Sequence, residues 1–387
     1  MSALDPLRNV RVRSWKVGWG EVRTDGTLGY DGGCCPSPRC RLDLSDALLI
    51  SAHAPSRLEI DTDEPVELFG FLNASARFNP NNAVEFWADW NFVGELTVPG
   101  AGTPSQRLEP GRHVLVVTCA DPTSRHTLWA VRKASVGVAS PLTVLTIAAY
   151  PEERVPSEIG IMARSARRAE VPLKVCFVGE RYASHAEMKI RRLLPIVREL
   201  ETPRVAYVDA RDCVFVAGIE RIEEEFAAMR TRIVVSAEAQ CWPVRDDAWI
   251  ARFPSHSSGC NWLNAGQWLG ERSAIMDALT LLAGLPRRAL RERSSDALAM
   301  CRRLPEDDQL LWQAAWLGGE LELELDYDGR IFRNVNTLDT SLVDNRDFDL
   351  SDGAVFRPSG RRASVLHFSG AAAEHCMHQW GGLLGAL

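Results

Sequence analysis

The feature that most constrains the fold is the alternation of apolar runs and helical stretches that begins after Ser140. Pro141 to Tyr150 is nearly all apolar, the pattern of a parallel strand buried on both faces. The sequence then predicts a helix from Val155 to Ala169, a strand from Leu173 to Val178 and a helix from Glu187 to Leu200 that carries Lys189, Arg191 and Arg192. A third strand is expected from Val205 to Asp209, a helix from Ile219 to Met229 and a fourth strand from Ile233 to Ala237. Such a strand–helix rhythm specifies a Rossmann-like, mostly parallel α/β sheet, with its ligand site at the carboxyl ends of the strands.

The text before Ser140 is different. From Val10 to about Lys133 it consists of short alternating runs, such as Leu58-Glu59-Ile60-Asp61 and Val66-Glu67-Leu68-Phe69. Turn clusters such as Thr24-Asp25-Gly26 and Asn79-Pro80-Asn81-Asn82 divide them, which predicts an antiparallel, sandwich-like module. At 387 residues the chain exceeds one hydrophobic core, so the expected division is an all-β accessory domain at 1–138 and an α/β domain at 139–387. Trp15, Trp19, Trp87 and Trp90 fall in the first part; they could stack on sugar faces, although Trp87 and Trp90 with Phe86 and Phe92 suit a core better.

Composition narrows the function classes. A formal net charge of -7 opposes broad nucleic-acid affinity, which depends on clustered cations. No run approaches the roughly 18 apolar residues of a membrane span, and Met1 to Arg13 is polar and charged, so the expected location is cytoplasmic. None of the ten cysteines forms a paired CxxC zinc pattern, and most read as small, reduced, apolar residues. Cys34, Cys35 and Cys40 form a cluster that could instead hold a metal or pair with Cys119.

The chemistry centres on Tyr207-Val208-Asp209-Ala210-Arg211-Asp212-Cys213, where two carboxylates stand three residues apart at the end of the third strand. A strand-end acid pair can hold a divalent ion that neutralises a departing diphosphate. The plainer alternative is that Asp209 caps a turn and Asp212 is solvated. Further polar groups interrupt apolar or small-residue text: the amide and glycine of Asn264-Ala265-Gly266, the Asp307-Asp308-Gln309 triplet ahead of a helix from Leu310 to Leu317, and His367 at the end of a strand. A glycine beside an amide suggests a close backbone approach, and a strand-end imidazole suits a metal or a phosphate.

The order of these motifs resembles the glycosyltransferase domain of the multifunctional procollagen lysyl hydroxylases and the related collagen galactosyltransferases, which are GT-A proteins. The likeness covers roughly Leu142 to Gly370. Val144-Leu145-Thr146-Ile147-Ala148-Ala149 is similar to that family's opening strand, and Glu187-Met188-Lys189-Ile190-Arg191 to its Gly-Gly-Gln-Lys-Val-Arg segment, with Ser184, His185 and Ala186 in place of the glycines. Asp209, Asp212 and Val214-Phe215 match its metal motif, and Val234-Val235-Ser236-Ala237-Glu238 followed by Cys241-Trp242-Pro243 its next strand. Leu263 to Gly270, Asp307-Asp308-Gln309, Asp326 to Asn334 and His367-Phe368-Ser369-Gly370 complete the series, Ser369 replacing an asparagine.

The resemblance implies that Asp209, Asp212 and His367 ligate Mn2+ or Mg2+. It implies that Thr146, Ile147, Ala148, Lys189, Asp209 and Gly370 line the donor site for a UDP-sugar, and that Asn264, Asp307 and Asp308 face the transferred sugar or the acceptor. Either Asp307 or Asp308 could serve as a base, or both could simply favour a helix N-terminus. Trp242 and Trp262 could stack on a sugar or base, or pack in a core. The expected function is transfer of a hexose from the nucleotide-sugar donor to a hydroxyl of a peptide, metabolite or glycan. The rivals are a non-catalytic glycan- or partner-binding protein and a nucleotidyltransferase; against the latter, Ala149-Tyr150-Pro151-Glu152-Glu153 is neither glycine-rich nor basic.

Overall fold

A computed structural model describes residues 10–16, 48–54, 56–62, 65–72, 84–96, 106–119, 125–133, 140–291, 296–335, 348–349, 355–356 and 361–370. Trp19 and the cluster Cys34, Cys35, Cys40 lie outside these residues, as does the side chain of Trp15. The chain separates into two compact units, Met1–Ala139 and Ser140–Leu387.

Among the described residues the first unit contains nine strands: β1 Val10–Lys16, β2 Leu48–Ala54, β3 Ser56–Thr62, β4 Val66–Leu72, β5 Val84–Ala88, β6 Asn91–Leu96, β7 Gln106–Leu108, β8 Gly111–Cys119 and β9 Arg125–Lys133. They form two antiparallel sheets, ordered β1-β3-β8-β5-β6 and β2-β9-β4-β7. Alternate residues of each strand face one way, and Ile60, Val84, Phe86 and Leu115 of the first sheet join Val66, Leu68, Trp129 and Val131 of the second in one core. Phe86 meets Trp129 edge to face at 5.1 Å. Trp87 and Trp90 are buried, so neither presents a stacking surface to a glycan. Asp89 and Trp90 take φ of 46° and 66°, the left-handed pair that a two-residue hairpin turn between β5 and β6 requires.

The second unit has a six-stranded sheet of β10 Leu142–Ile147, β11 Leu173–Cys176, β12 Arg204–Val208, β14 Ile233–Glu238, β15 Trp262–Glu271 and β16 Glu324–Asp326, ordered β11-β10-β12-β15-β14-β16. A three-stranded sheet joins β13 Cys213–Phe215, β21 Val365–His367 and β17 Phe332–Asn334, and a small ladder joins β18 Phe348–Asp349, β19 Val355–Phe356 and β20 Arg361–Arg362. The helices are α1 Val155–Arg168, α2 Leu193–Glu199, α3 Ile219–Met229, α4 Asp247–Ile250, α5 Arg272–Arg291, α6 Asp296–Arg303 and α7 Asp308–Leu317.

Three of the expected parallel strands pair as anticipated, β10 standing between β11 and β12. The sheet is mostly parallel, as expected, five of its six strands running one way, but β15 lies at its centre and runs antiparallel to both β12 and β14. The sheet is therefore mixed. Glycines and amides punctuate this strand, yet its interior is buried throughout because neighbours flank it on both edges and α7 packs on it. The predicted helix from Glu187 also differs: it opens with a π-helical segment, Glu187–Arg192, before α2. A widened turn of this kind rotates the side chains it carries relative to a regular helix and often occurs at functional sites.

The ladder between β14 and β15 is interrupted. Ile233–Val235 pair with Gly270–Trp268 and Ser236–Glu238 with Asn264–Trp262, so Ala265, Gly266 and Gln267 form a bulge away from β14. Amides that lose ladder partners must find others. The Ala265 N–H donates to Gln309 Oε1 at 3.2 Å and the Gly266 N–H to Asn264 Oδ1 at 2.9 Å.

A candidate metal and donor site at the β15 bulge

Five segments meet at the bulge. β12 ends at Val208 and delivers Asp209, whose own N–H donates to the Gly266 carbonyl at 2.9 Å. The turn into β13 carries Asp212, and β21, antiparallel to β13, sets His367 opposite Cys213. The π-helical turn contributes Lys189, and the start of α7 contributes Asp308.

The distances define two lobes around one carboxylate. His367 Nε2 is 3.3 Å from Asp212 Oδ2 and 3.9 Å from Asp209 Oδ2. On the other side, Tyr207 OH donates to Asp209 Oδ1 at 2.6 Å and Lys189 Nζ lies 2.7 Å from the same oxygen. Lys189 Nζ is also 3.6 Å from Asp308 Oδ2 and 5.5 Å from the Tyr207 ring centre. Gly266 makes the assembly possible: a Cβ there would stand 2.6 Å from His367 Cε1, 2.7 Å from Asp209 Oδ2 and 2.9 Å from Asn264 Oδ1.

Electrostatics follow from burial opposed by pairing. Burial acts to raise the Asp209 carboxyl, but the Lys189 charge, His367 and the hydrogen bonds from Lys189 and Tyr207 outweigh it and leave it lowered. Burial likewise opposes the Lys189 ammonium, and Asp209 and Asp308 reverse the sign, leaving its pKa raised. For His367, burial favours the neutral ring while Asp212 and then Asp209 raise its pKa. At neutral pH the pocket is thus an acid cluster with one lysine set against it.

Asp209, Asp212 and His367 offer two carboxylates and an imidazole, a hard oxygen and nitrogen set that suits Mn2+ or Mg2+. Among the described residues, however, the three whose ligand atoms all lie within 4.8 Å of one another are Asp212, Cys213 and His367. Burial, with the two acids beside it, holds that thiol well above its ordinary pKa, and its sulfur accepts a hydrogen bond from Gln267 Nε2 at 3.7 Å. Asp209 is therefore the more suitable third ligand. His367 Nδ1, and Ser369 Oγ two residues further along the chain, are buried atoms without a hydrogen-bond partner.

The other expected residues have varied places. Thr146, Ile147 and Ala148 form the end of β10 and its exit; the Thr146 hydroxyl donates to the Val208 carbonyl at 2.8 Å, and the Ala148 N–H to Cys176 O at 3.0 Å. Gly370 is exposed at φ 93° beyond β21. Asp307 is the N-cap of α7, its Oδ1 accepting from the Leu310 N–H at 2.9 Å, whereas Asp308 is buried in the site. Of the two readings open for these tryptophans, core packing holds for Trp262, which is partly buried against the core, but not for Trp242, which is 53% exposed with Arg245 5.3 Å from its ring.

Several supporting roles escaped sequence reasoning. Tyr207 precedes Asp209 by two positions on an extended segment, which places both side chains on one face; that spacing was the available signal. Gln309 donates to Glu238 Oε1 at 2.7 Å and to the Trp242 carbonyl at 2.8 Å, and Gln313, one helical turn later, donates to the same carbonyl at 2.8 Å. Glu306 accepts from Arg191 Nη1 and Nη2, each at 3.0 Å, and from the Ser184 hydroxyl, while its carbonyl accepts from the Ala186 N–H at 3.0 Å. This clamp fastens the Lys189 turn to the start of α7.

A family model described as the PLOD GT domain matches residues 139–349. The chain belongs to the PLOD glycosyltransferase-domain family. The human multifunctional procollagen lysine hydroxylase and glycosyltransferase LH3 is 25% identical over 136 residues, covering 34% of this chain and 16% of that protein. An uncharacterized protein of Acanthamoeba polyphaga mimivirus is 23% identical over 158 residues, 40% of this chain and 30% of its own length. This PLOD-family chain thus aligns with less than a third of either curated relative. Among solved structures, a glycosyltransferase involved in glycosylation of the major capsid of PBCV-1 aligns over 64% of this chain and 99% of its own, at 10% identity and a TM-score of 0.34.

Proposed function

We propose that the chain is a metal-dependent glycosyltransferase that moves a hexose from a UDP-sugar to a hydroxyl acceptor. The observation that carries this reading is the convergence of Asp209, Asp212, His367 and Lys189 around Gly266, within a domain of glycosyltransferase ancestry. A divalent ion held by Asp209, Asp212 and His367 would supply the Lewis acidity that stabilises a departing diphosphate. Lys189 adds a fixed positive charge on the other side of Asp209, and Tyr207 orients that carboxylate by donating to Oδ1.

Asp308 and Asn264 border the same space and are assigned to the sugar or the attacking hydroxyl. Asp307, engaged as a helix cap, orients α7, and burial raises its pKa above the usual carboxylate value. The exposed Trp242 ring offers a stacking face for an acceptor, a peptide, metabolite or glycan. In this reading residues 139–387 form a GT-A-type catalytic domain and residues 1–138 a sandwich-like accessory domain.

The test is release of UDP from a panel of UDP-sugars with Mn2+, with and without chelator, beside an Asp209→Ala, Asp212→Ala double variant. Release that needs both the metal and the acid pair is expected and names the sugar. Absence of release together with absence of UDP binding by calorimetry would overturn the donor assignment and favour a non-catalytic binding protein.

A further inference from the structure

The two oxygens of Asp209 have unlike surroundings. Oδ2 faces His367, and through it Asp212, whereas Oδ1 is taken up by the Tyr207 hydroxyl at 2.6 Å and the Lys189 ammonium at 2.7 Å. Lys189 is itself buried and reaches Asp308 at 3.6 Å. A buried ammonium is tolerated only beside carboxylates. By the same attraction it cancels part of the negative charge that the acid pair would offer to a divalent ion, and an ion at that pair would share one carboxylate with it.

We propose that Lys189 is an internal competitor for the metal, so that the ion binds weakly alone and tightly only with an anionic diphosphate. This rests on the metal-and-donor reading above and adds an order to it. Mutual repulsion between ion and ammonium lowers the affinity of the empty site, and a diphosphate brings charge that attracts both. The coupling is reciprocal: the factor by which the diphosphate tightens the metal is the factor by which the metal tightens the diphosphate. With a full charge bonded directly to the shared carboxylate, removal of Lys189 changes the affinity for the ion alone by at least about tenfold. A lysine that served only to grip the donor would leave that affinity unmoved, and one that served only to brace the fold would lower it.

Mn2+ binding to the full chain, followed by the paramagnetic resonance of the free ion with and without UDP, tests this. In the wild type UDP should tighten Mn2+ markedly. Lys189→Met should bind Mn2+ alone at least about tenfold more tightly, with the enhancement by UDP reduced, and Lys189→Arg, which keeps the charge, should resemble the wild type. Unchanged or weaker Mn2+ binding by Lys189→Met overturns the proposal, as does a wild type whose Mn2+ affinity ignores UDP; the latter needs no variant to fold. A wild type that binds no Mn2+ even with UDP refutes the underlying metal reading itself, a result distinct from metal binding indifferent to Lys189.

Discussion

Replacing Gly266 with alanine adds one methyl group at the most crowded point of the site. That carbon would lie 2.6 Å from His367 Cε1, 2.7 Å from Asp209 Oδ2 and 2.9 Å from Asn264 Oδ1, all inside contact distance. Ordinary carbon contacts start near 3.5 Å, so relief requires the imidazole and the carboxylate to retreat by roughly 0.5–1 Å. A misplacement of that order costs about 100-fold in turnover, and the loss should appear in metal affinity as well. Global stability should change much less. Overpacking costs about 1–3 kcal/mol, offset in part by about 0.5–1 kcal/mol because glycine loses more freedom on folding than alanine. The assay pairs Mn2+-dependent UDP release with thermal unfolding, using Gly284→Ala as a control. Gly284 sits inside α5 with nothing within 4 Å of an added Cβ, and its replacement should add about 1 kcal/mol of stability without touching activity. Wild-type turnover and metal affinity in Gly266→Ala would refute the reasoning, because they would show that His367 and Asp209 do not need the places they occupy.

Two further outcomes can be checked. Glu306→Ala releases the clamp on the Lys189 turn; since Arg191 and Glu306 are partly exposed, the stability loss should stay within about 1 kcal/mol, while the donor KM rises about fivefold with kcat less affected and Glu306→Asp recovering part of the change. In the first unit, His113 Nδ1 lies 2.6 Å from Asp89 Oδ2 and Nε2 2.7 Å from the Glu109 carbonyl; burial opposes the charged ring, but these partners raise its pKa above the ordinary 6.5. A raised value means the pairing stabilises the fold fully below pH 6.5 and loses its effect as pH rises through the folded-state pKa. Exchange of β8 amides should therefore quicken across that range beyond its intrinsic pH dependence, and His113→Gln should remove the excess; an equal excess in both proteins would disprove it.

Much of the second unit was readable because its strands are short apolar runs between amphipathic helices, and period alone finds those. β15 was not. Asn264, Gly266 and Gln267 break its apolar text, and the partners that hold the segment, Gln309 for the Ala265 amide, Cys213 for Gln267 and Asn264 for the Gly266 amide, lie about fifty residues away or are local side-chain contacts that no periodicity signals. The acid pair was legible by spacing and by likeness, as was His367 at its strand end. The lysine was not legible as a partner of Asp209 by spacing, since a π-helical turn sets its direction. The tryptophans show the limit of residue type: Trp87 is sealed in a core and Trp242 stands half in solvent, although both could serve either role.

The bulge in β15 divides one strand into two mechanical pieces. Trp268–Gly270 is bonded to strands on both edges, whereas the amides of Ala265 and Gly266 donate to side chains, Gln309 of α7 and Asn264 of the strand itself. Side-chain tethers can lengthen or swap without unzipping a ladder, so the site can adjust to a guest by local opening while the sheet behind it stays shut.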